Sequence, residues 1–181
     1  MKRTILIALS LILALTLSAQ SNITTFMGIP VEGTRAAMTT QLLKNGLVKA
    51  GNDFLINNIE GRSFLVRIMT NKGKVYRISM VETKGTSDVH SILTKYENLI
   101  DEFRANETLY CEYEYNKPVD PAHEPFWENF IHQGAYYAEF FQVSDPQLYS
   151  RRVAFRITDE FGDYRIERLY DNIYNLPEGE Q

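Results

Sequence analysis

The sequence predicts an α+β protein whose antiparallel sheet carries its helices on one face, and three observations point there. Runs of alternating apolar and polar residues lie between short glycine-containing turns, the pattern of half-buried antiparallel strands. Two other stretches space their apolar residues by three and four, as an amphipathic helix does. Finally, Val66-Arg67-Ile68-Met69-Thr70-Asn71-Lys72-Gly73-Lys74-Val75-Tyr76-Arg77-Ile78 is echoed by Phe155-Arg156-Ile157-Thr158-Asp159-Glu160-Phe161-Gly162-Asp163-Tyr164-Arg165-Ile166. In both, Arg-Ile, a polar turn with one Gly and Tyr-Arg-Ile follow one another. Two strands around a short loop read this way, the Gly supplying the positive φ that the turn needs.

The N-terminus has the pattern of a cleaved secretory signal. Lys2 and Arg3 form a basic start, Ile5 to Leu17 is apolar apart from Ser10 and Thr16, and Leu17-Ser18-Ala19 gives a small-residue exit before Gln20. The apolar run falls short of the roughly 20 residues that a membrane-spanning helix requires. Residues 1–19 are therefore expected to be a signal peptide, cut after Ala19, that exports the chain to the periplasm or the exterior. No membrane span is expected after cleavage, and with no Cys near the cut no lipid anchor either. Cleavage removes Lys2 and Arg3 and no acid, which takes the formal net charge from -4 to -6. Nucleic acid is not an expected partner of such a chain, because that binding rests on clustered cations. Cys111 is the single cysteine, so no intrachain disulfide can form, and it reads as a small buried apolar residue.

From Ile23 to Val31 the chain reads as extended. Thr34 suits an N-cap for a helix with Met38, Leu42 and Leu43 on one face, and Gly46 suits its left-handed terminator. Strands are expected over 53–59, 62–70 and 75–82, with Phe64, Val66 and Ile68 sharing one face and Tyr76, Ile78 and Met80 another that meets the same core. Ser87 and Asp88 open the longest helix, where Val89, Ile92, Leu93, Tyr96, Leu99, Ile100 and Phe103 make an apolar stripe. Residues 109–115 read as a further strand and 116–121 as a loop kept irregular by Pro118 and Pro121. A short helix is expected over 125–132, with Pro125 at its start and Gly134 past its end. Strands over 136–143, 152–158 and 164–170 complete the chain.

Residues 26–83 and 109–170 thus share one order: a strand, a short helix ending at Gly, then three strands of which the last two form the echoed hairpin. The order predicts a tandem βαβββ duplication joined by the long helix after Ser87. A first repeat would cover 20–105 and a second 106–176, with a loose tail at 177–181. A tandem helix-plus-antiparallel-meander arrangement behind an export signal resembles the beta-lactamase-inhibitor-like fold, whose repeats also occur in small outer-membrane assembly lipoproteins. The run Met27-Gly28-Ile29-Pro30-Val31-Glu32-Gly33-Thr34, followed by a helix with Met38 and Leu42 and ending at Asn45-Gly46, is similar to the opening of many uncharacterised exported bacterial proteins. The resemblance implies that the open face of the sheet docks a protein partner.

Alternation also selects the candidate site. If Phe64, Val66, Ile68, Tyr76 and Ile78 face the helices, Arg67 and Arg77 point the other way, and the second hairpin places Arg156 and Arg165 likewise. Arginine forks bind carboxylates and stack on aromatics, so four of them on one face suit an acidic protein surface, a carboxylate or an anionic glycan. The competing reading is cross-strand pairing with acids such as Glu82 and Glu167. His123, Glu124, Glu128 and His132 cluster near the second short helix, but not with His-Glu-x-x-His spacing, and Pro125 separates His123 from that helix. Phe126 and Trp127 there read as core or groove residues, and the tyrosine-rich second half suits strands and interfaces. No Gly-x-Ser-x-Gly elbow, phosphate-cradling glycine loop, Cys-x-x-Cys or dinucleotide fingerprint occurs. Asn22-Ile23-Thr24 and Asn106-Glu107-Thr108 are glycosylation sequons in form alone.

These readings predict an exported, monomeric, non-catalytic module without a cofactor that docks a protein or envelope component on its exposed sheet face. Two other readings stand beside it. One is a cystatin-like or nuclear-transport-factor-like binder of a small ligand. The other is a metal-dependent hydrolase around His123, Glu124 and His132.

Overall fold

In a computed structural model of the protein, the described residues are 22–107, 109–116, 136–143, 150–160 and 162–179. The strands among the described residues are β1 (Thr25–Phe26), β2 (Ile29–Pro30), β3 (Val48–Lys49), β4 (Phe54–Ile59), β5 (Arg62–Asn71), β6 (Lys74–Glu82), β7 (Tyr110–Tyr115), β8 (Tyr137–Gln142), β9 (Arg151–Glu160) and β10 (Asp163–Asn172). The last seven form where alternation predicts them, to within two residues. Eight of them make one antiparallel sheet in the order β3-β4-β5-β6-β10-β9-β8-β7, and β1 and β2 form a separate small hairpin. Among the described residues two α-helices accompany the sheet, α1 (Arg35–Lys44) and α2 (Val89–Arg104). The mixture of antiparallel sheet and helix matches the expected α+β class.

The echoed segments are β5–β6 and β9–β10, and they lie side by side at the centre of the sheet. Lys72 and Gly73 turn the first, both at positive φ (49° and 79°), as a tight two-residue hairpin loop requires. The two hairpins share one register: Arg67 opposes Ser79 and Ile68 opposes Ile78 in the first, while Arg156 opposes Glu167 and Ile157 opposes Ile166 in the second. β6 and β10 then pair with each other, from Arg77 opposite Asp171 to Val81 opposite Glu167.

Both helices begin where their caps were expected. The Thr34 hydroxyl accepts the Ala37 amide at 3.3 Å, and the Asp88 carboxylate accepts that of Ser91 at 3.1 Å. Met38 and Leu42 of α1 and Ile92, Leu93, Tyr96, Leu99, Ile100 and Phe103 of α2 join a single core with Phe64, Val66, Ile68, Ile78, Met80, Val153, Phe155 and Ile157. Burial of each of these large side chains is worth roughly 2 kcal/mol, which fixes both helices to the same side of the sheet.

Several details differ from the sequence reading. The segment after Ile23 is a hairpin rather than one extended run, because Met27 and Gly28 both adopt positive φ and fold Phe26 against Ile29. A bulge between Met69 and Thr70 sets Val75 opposite Thr70 and brings Val75 into the core cluster. Tyr76 is buried outside that cluster, its hydroxyl 4.0 Å from the Met69 sulfur. Cys111 is exposed, because β7 is the edge strand and Cys111 lies opposite Phe141 on the side away from the helices. In element order α1 precedes β3–β6 and α2 precedes β7–β10; β1 and β2 come before α1 as the expected strand-first order has it, with four strands after α1 rather than three, while in the second half the helix expected between β7 and β8 lies outside the described residues. The helix expected over 125–132 and the signal segment lie outside the described residues. No helix among the described residues is long and apolar enough to cross a membrane.

Candidate functional site

The four selected arginines share the helix-free face of the sheet, as alternation requires, but three of them are already engaged. Arg77 donates from Nε and Nη2 to the two carboxylate oxygens of Asp171 at 2.6 and 2.9 Å, and the Asp171 side chain is fully buried. Arg156 places Nε and Nη2 at 2.7 and 2.6 Å from one oxygen of Glu167, whose other oxygen accepts the Ser79 hydroxyl. Arg165 lies 3.4 Å from Asp163. Arg67 is exposed and stacks 4.8 Å from the centre of the Phe54 ring. Among the described residues it has no carboxylate within ion-pair distance.

Register explains the asymmetry. Arg156 opposes Glu167, whereas Arg67, at the matching place in its own hairpin, opposes Ser79. A hydroxyl stands where the other hairpin has an acid. Arg67 therefore keeps its guanidinium beside a groove of about 610 Å³, lined by Phe54, Leu65, Val81, Ser79, Thr158, Asp159 and Glu167 as well as by Arg67 itself. The groove has an apolar floor on β4–β6 and an acidic side on β9–β10.

Beside it runs a ladder that the sequence reading did not single out. Arg152 donates to the Tyr137 hydroxyl at 2.6 Å, and that hydroxyl donates to Glu139, also at 2.6 Å. Its Nε lies 3.2 Å from Glu139 and 3.9 Å from Asp171, as an ion pair without hydrogen-bond alignment. Burial pushes the Tyr137 hydroxyl up to about 12, the bond to Glu139 adding to the shift and Arg152 opposing it. Burial by itself would lower the Arg152 guanidinium, but Tyr137, Glu139 and Asp171 together raise it. Arg152 was within reach of the same alternation that selected Arg156, since both stand two positions from Ala154 on β9. The partnership with Glu139 and Asp171 was not, because it spans three strands.

Chemically, the face presents compensated charges and, among the described residues, Arg67 as an open cation. His123, Glu124, Glu128 and His132, together with Phe126 and Trp127, lie outside the described residues. Among the described residues no group of three His, Cys, Asp or Glu is placed to hold a metal ion, and His90 is exposed on α2. Compared with protein-family models, curated proteins and solved structures, the chain finds no match in any of the three, so its function is argued from this geometry.

Proposed function

We propose that the protein is an exported binding module, built from a duplicated helix-plus-meander unit, that docks a protein or envelope component on its helix-free sheet face. The duplication is supported by the shared register of the two central hairpins and by the order of one helix before each meander. The same order supports the likeness to the beta-lactamase-inhibitor-like fold. Export rests on the N-terminal signal pattern.

One observation carries the docking assignment. Arg67 is the open guanidinium on a face where Arg77, Arg156 and Arg165 are bound to internal acids, and it stands over an aromatic ring beside a 610 Å³ groove with Leu65 and Val81. Such a place suits a partner that brings a carboxylate flanked by apolar groups: the fork takes the carboxylate while Phe54, Leu65 and Val81 take the apolar surface. Arg156, 45% exposed at the rim, adds a second guanidinium that Glu167 already neutralises.

Capture from envelope extract tests this with the native protein, Arg67→Glu, the double variant Arg67→Glu/Arg156→Glu, and Arg62→Glu as a control. Arg62 is half-exposed and faces Glu60 at 3.8 Å, away from the groove. The expected result is a protein recovered by the native and Arg62→Glu baits and lost from both Arg67 baits. Equal recovery by all four baits overturns the assignment.

A further inference from the structure

On the helix side of the sheet, opposite the Arg67 face, a cavity of about 330 Å³ opens between the β1–β2 hairpin and the junction of α2 with β7. Its floor is aromatic and apolar: Phe26, Met80, Tyr110 and Tyr170. Two guanidinium groups, Arg151 and Arg168, line it, and among the described residues no aspartate or glutamate does. Arg151 spends its Nε on the Ile23 carbonyl at 3.0 Å and Arg168 lies 5.4 Å from the centre of the Phe64 ring. Among the described residues neither has a carboxylate within ion-pair distance. Gln142 holds the hairpin to β8, accepting from the Thr25 amide and donating to the Thr25 carbonyl, both at 2.7 Å. The mouth is rimmed by Met27, Leu109 and Val143, large apolar side chains that remain 46%, 55% and 41% exposed.

We propose that this cavity binds a small monocarboxylate with an apolar tail. Glu102 is felt by Tyr110 and Tyr170 but does not pair with either arginine, so among the described residues both guanidinium groups keep their forks unmatched, and a planar guanidinium is matched to a carboxylate in a way that it is not to a neutral head group. The apolar rim and aromatic floor give the tail a place to leave water. The volume, near the lower end of the roughly 300–1,000 Å³ usual for ligand pockets, restricts the tail to a short chain or a single ring. A neutral apolar molecule would gain the floor and rim but leave both guanidinium groups unmatched.

Octanoate, octanol and inorganic phosphate separate these contributions when titrated into the full chain and followed by NMR of the arginine Nε–H and methionine methyl groups. Octanoate is expected to shift the signals of Arg151, Arg168 and Met27, octanol to bind at least about tenfold more weakly, and phosphate, which lacks a tail, to leave Met27 unshifted and to move the two arginine signals only at higher concentration than octanoate does. Arg151→Gln and Arg168→Gln should each weaken octanoate by at least about tenfold and leave octanol unchanged. Because Arg168 also packs on Phe64, Val143→Asp serves as a second variant: an acid at the exposed rim should weaken octanoate while the urea midpoint stays that of the native protein. Equal affinity for octanoate and octanol, octanoate binding that survives both glutamine variants, or no shift at millimolar octanoate each overturns the proposal. Arg67→Glu should leave octanoate binding intact, so this site and the docking face fail or stand separately.

Discussion

Asp171 receives both nitrogens of the Arg77 fork and sits 3.9 Å from Arg152, and its side chain has no exposure to water. Neutralising it leaves two guanidinium groups, 12% and 21% exposed, facing an amide. A buried ion pair broken from one side costs far more than an exposed one, because the remaining charge has lost both water and partner. Arg156 and Glu167 form the contrast: the guanidinium is 45% exposed and water can replace its partner. We expect Asp171→Asn to cost roughly 3 kcal/mol and Arg156→Ala no more than about 1 kcal/mol in urea unfolding. Equal losses in the two variants would show that burial does not separate the pairs. Alternation alone placed Arg67, Arg77, Arg156 and Arg165 on one face. What it could not supply was the acid each one meets, since Asp171 and Glu167 reach their partners across strands whose neighbours follow from the fold. Ser79 is the case in point, an unremarked hydroxyl in β6 whose place opposite Arg67 is what leaves that arginine open.

Gly85 joins β6 to α2 where a backbone bridge ties Thr86 to Tyr164 of β10. The two amides exchange hydrogen bonds of 3.1 and 2.8 Å with the opposite carbonyls. A Cβ added at Gly85 would stand 2.5 Å from the Asp163 Cβ and 3.1 Å from the Tyr164 carbonyl oxygen, distances that backbone must move to relieve. Gly85→Ala is therefore expected to cost about 1–3 kcal/mol and to speed hydrogen exchange at the Thr86 and Tyr164 amides ahead of the rest of the sheet. Unchanged exchange at those two amides would mean that the junction absorbs the methyl group without opening. No sequence signal marked this glycine, because a close approach between distant segments leaves no local pattern. Elements with a strong period were legible: the caps at Thr34 and Asp88, the α2 stripe, and β4–β10 to within a residue or two. β3 was not, since Val48 and Lys49 are both exposed and two residues show no alternation. The bulge that brings Val75 into the core was equally hidden, because Val75 and Tyr76 are adjacent apolar residues and either could be the one that packs.

One core and one sheet join the two meanders through the β6–β10 pair, so the sheet and both helices are expected to unfold together. Within that whole, burial raises the hydroxyls of Tyr96, Tyr110, Tyr115, Tyr137 and Tyr170, and three of them, Tyr96, Tyr137 and Tyr170, by the most. Burial pushes the Tyr170 hydroxyl up to about 12, with Arg168 pulling it back, and pushes Tyr137 up to about 12 as well. Tyr96, which is fully buried with a hydroxyl that finds no hydrogen-bond partner among the described residues, is raised further, by burial first and then by Tyr115. In each case the fold favours the protonated form. An unfolded tyrosine ionises near pH 10, so the stability tied to these groups is complete below about pH 10 and is lost as pH climbs through about 12. The loss is set by the fold as a unit, since Tyr96 lies on α2, Tyr137 on β8 and Tyr170 on β10. Titrated upward from pH 9, the protein should therefore lose near-ultraviolet circular dichroism between about pH 10 and 12, in step with the late part of its tyrosinate absorbance. Tyr170→Phe removes one of the three groups and should move that transition to higher pH. Complete tyrosinate formation with the dichroism intact would mean that these hydroxyls reach water without the core opening. A transition left in place by Tyr170→Phe would trace alkaline unfolding to groups outside it.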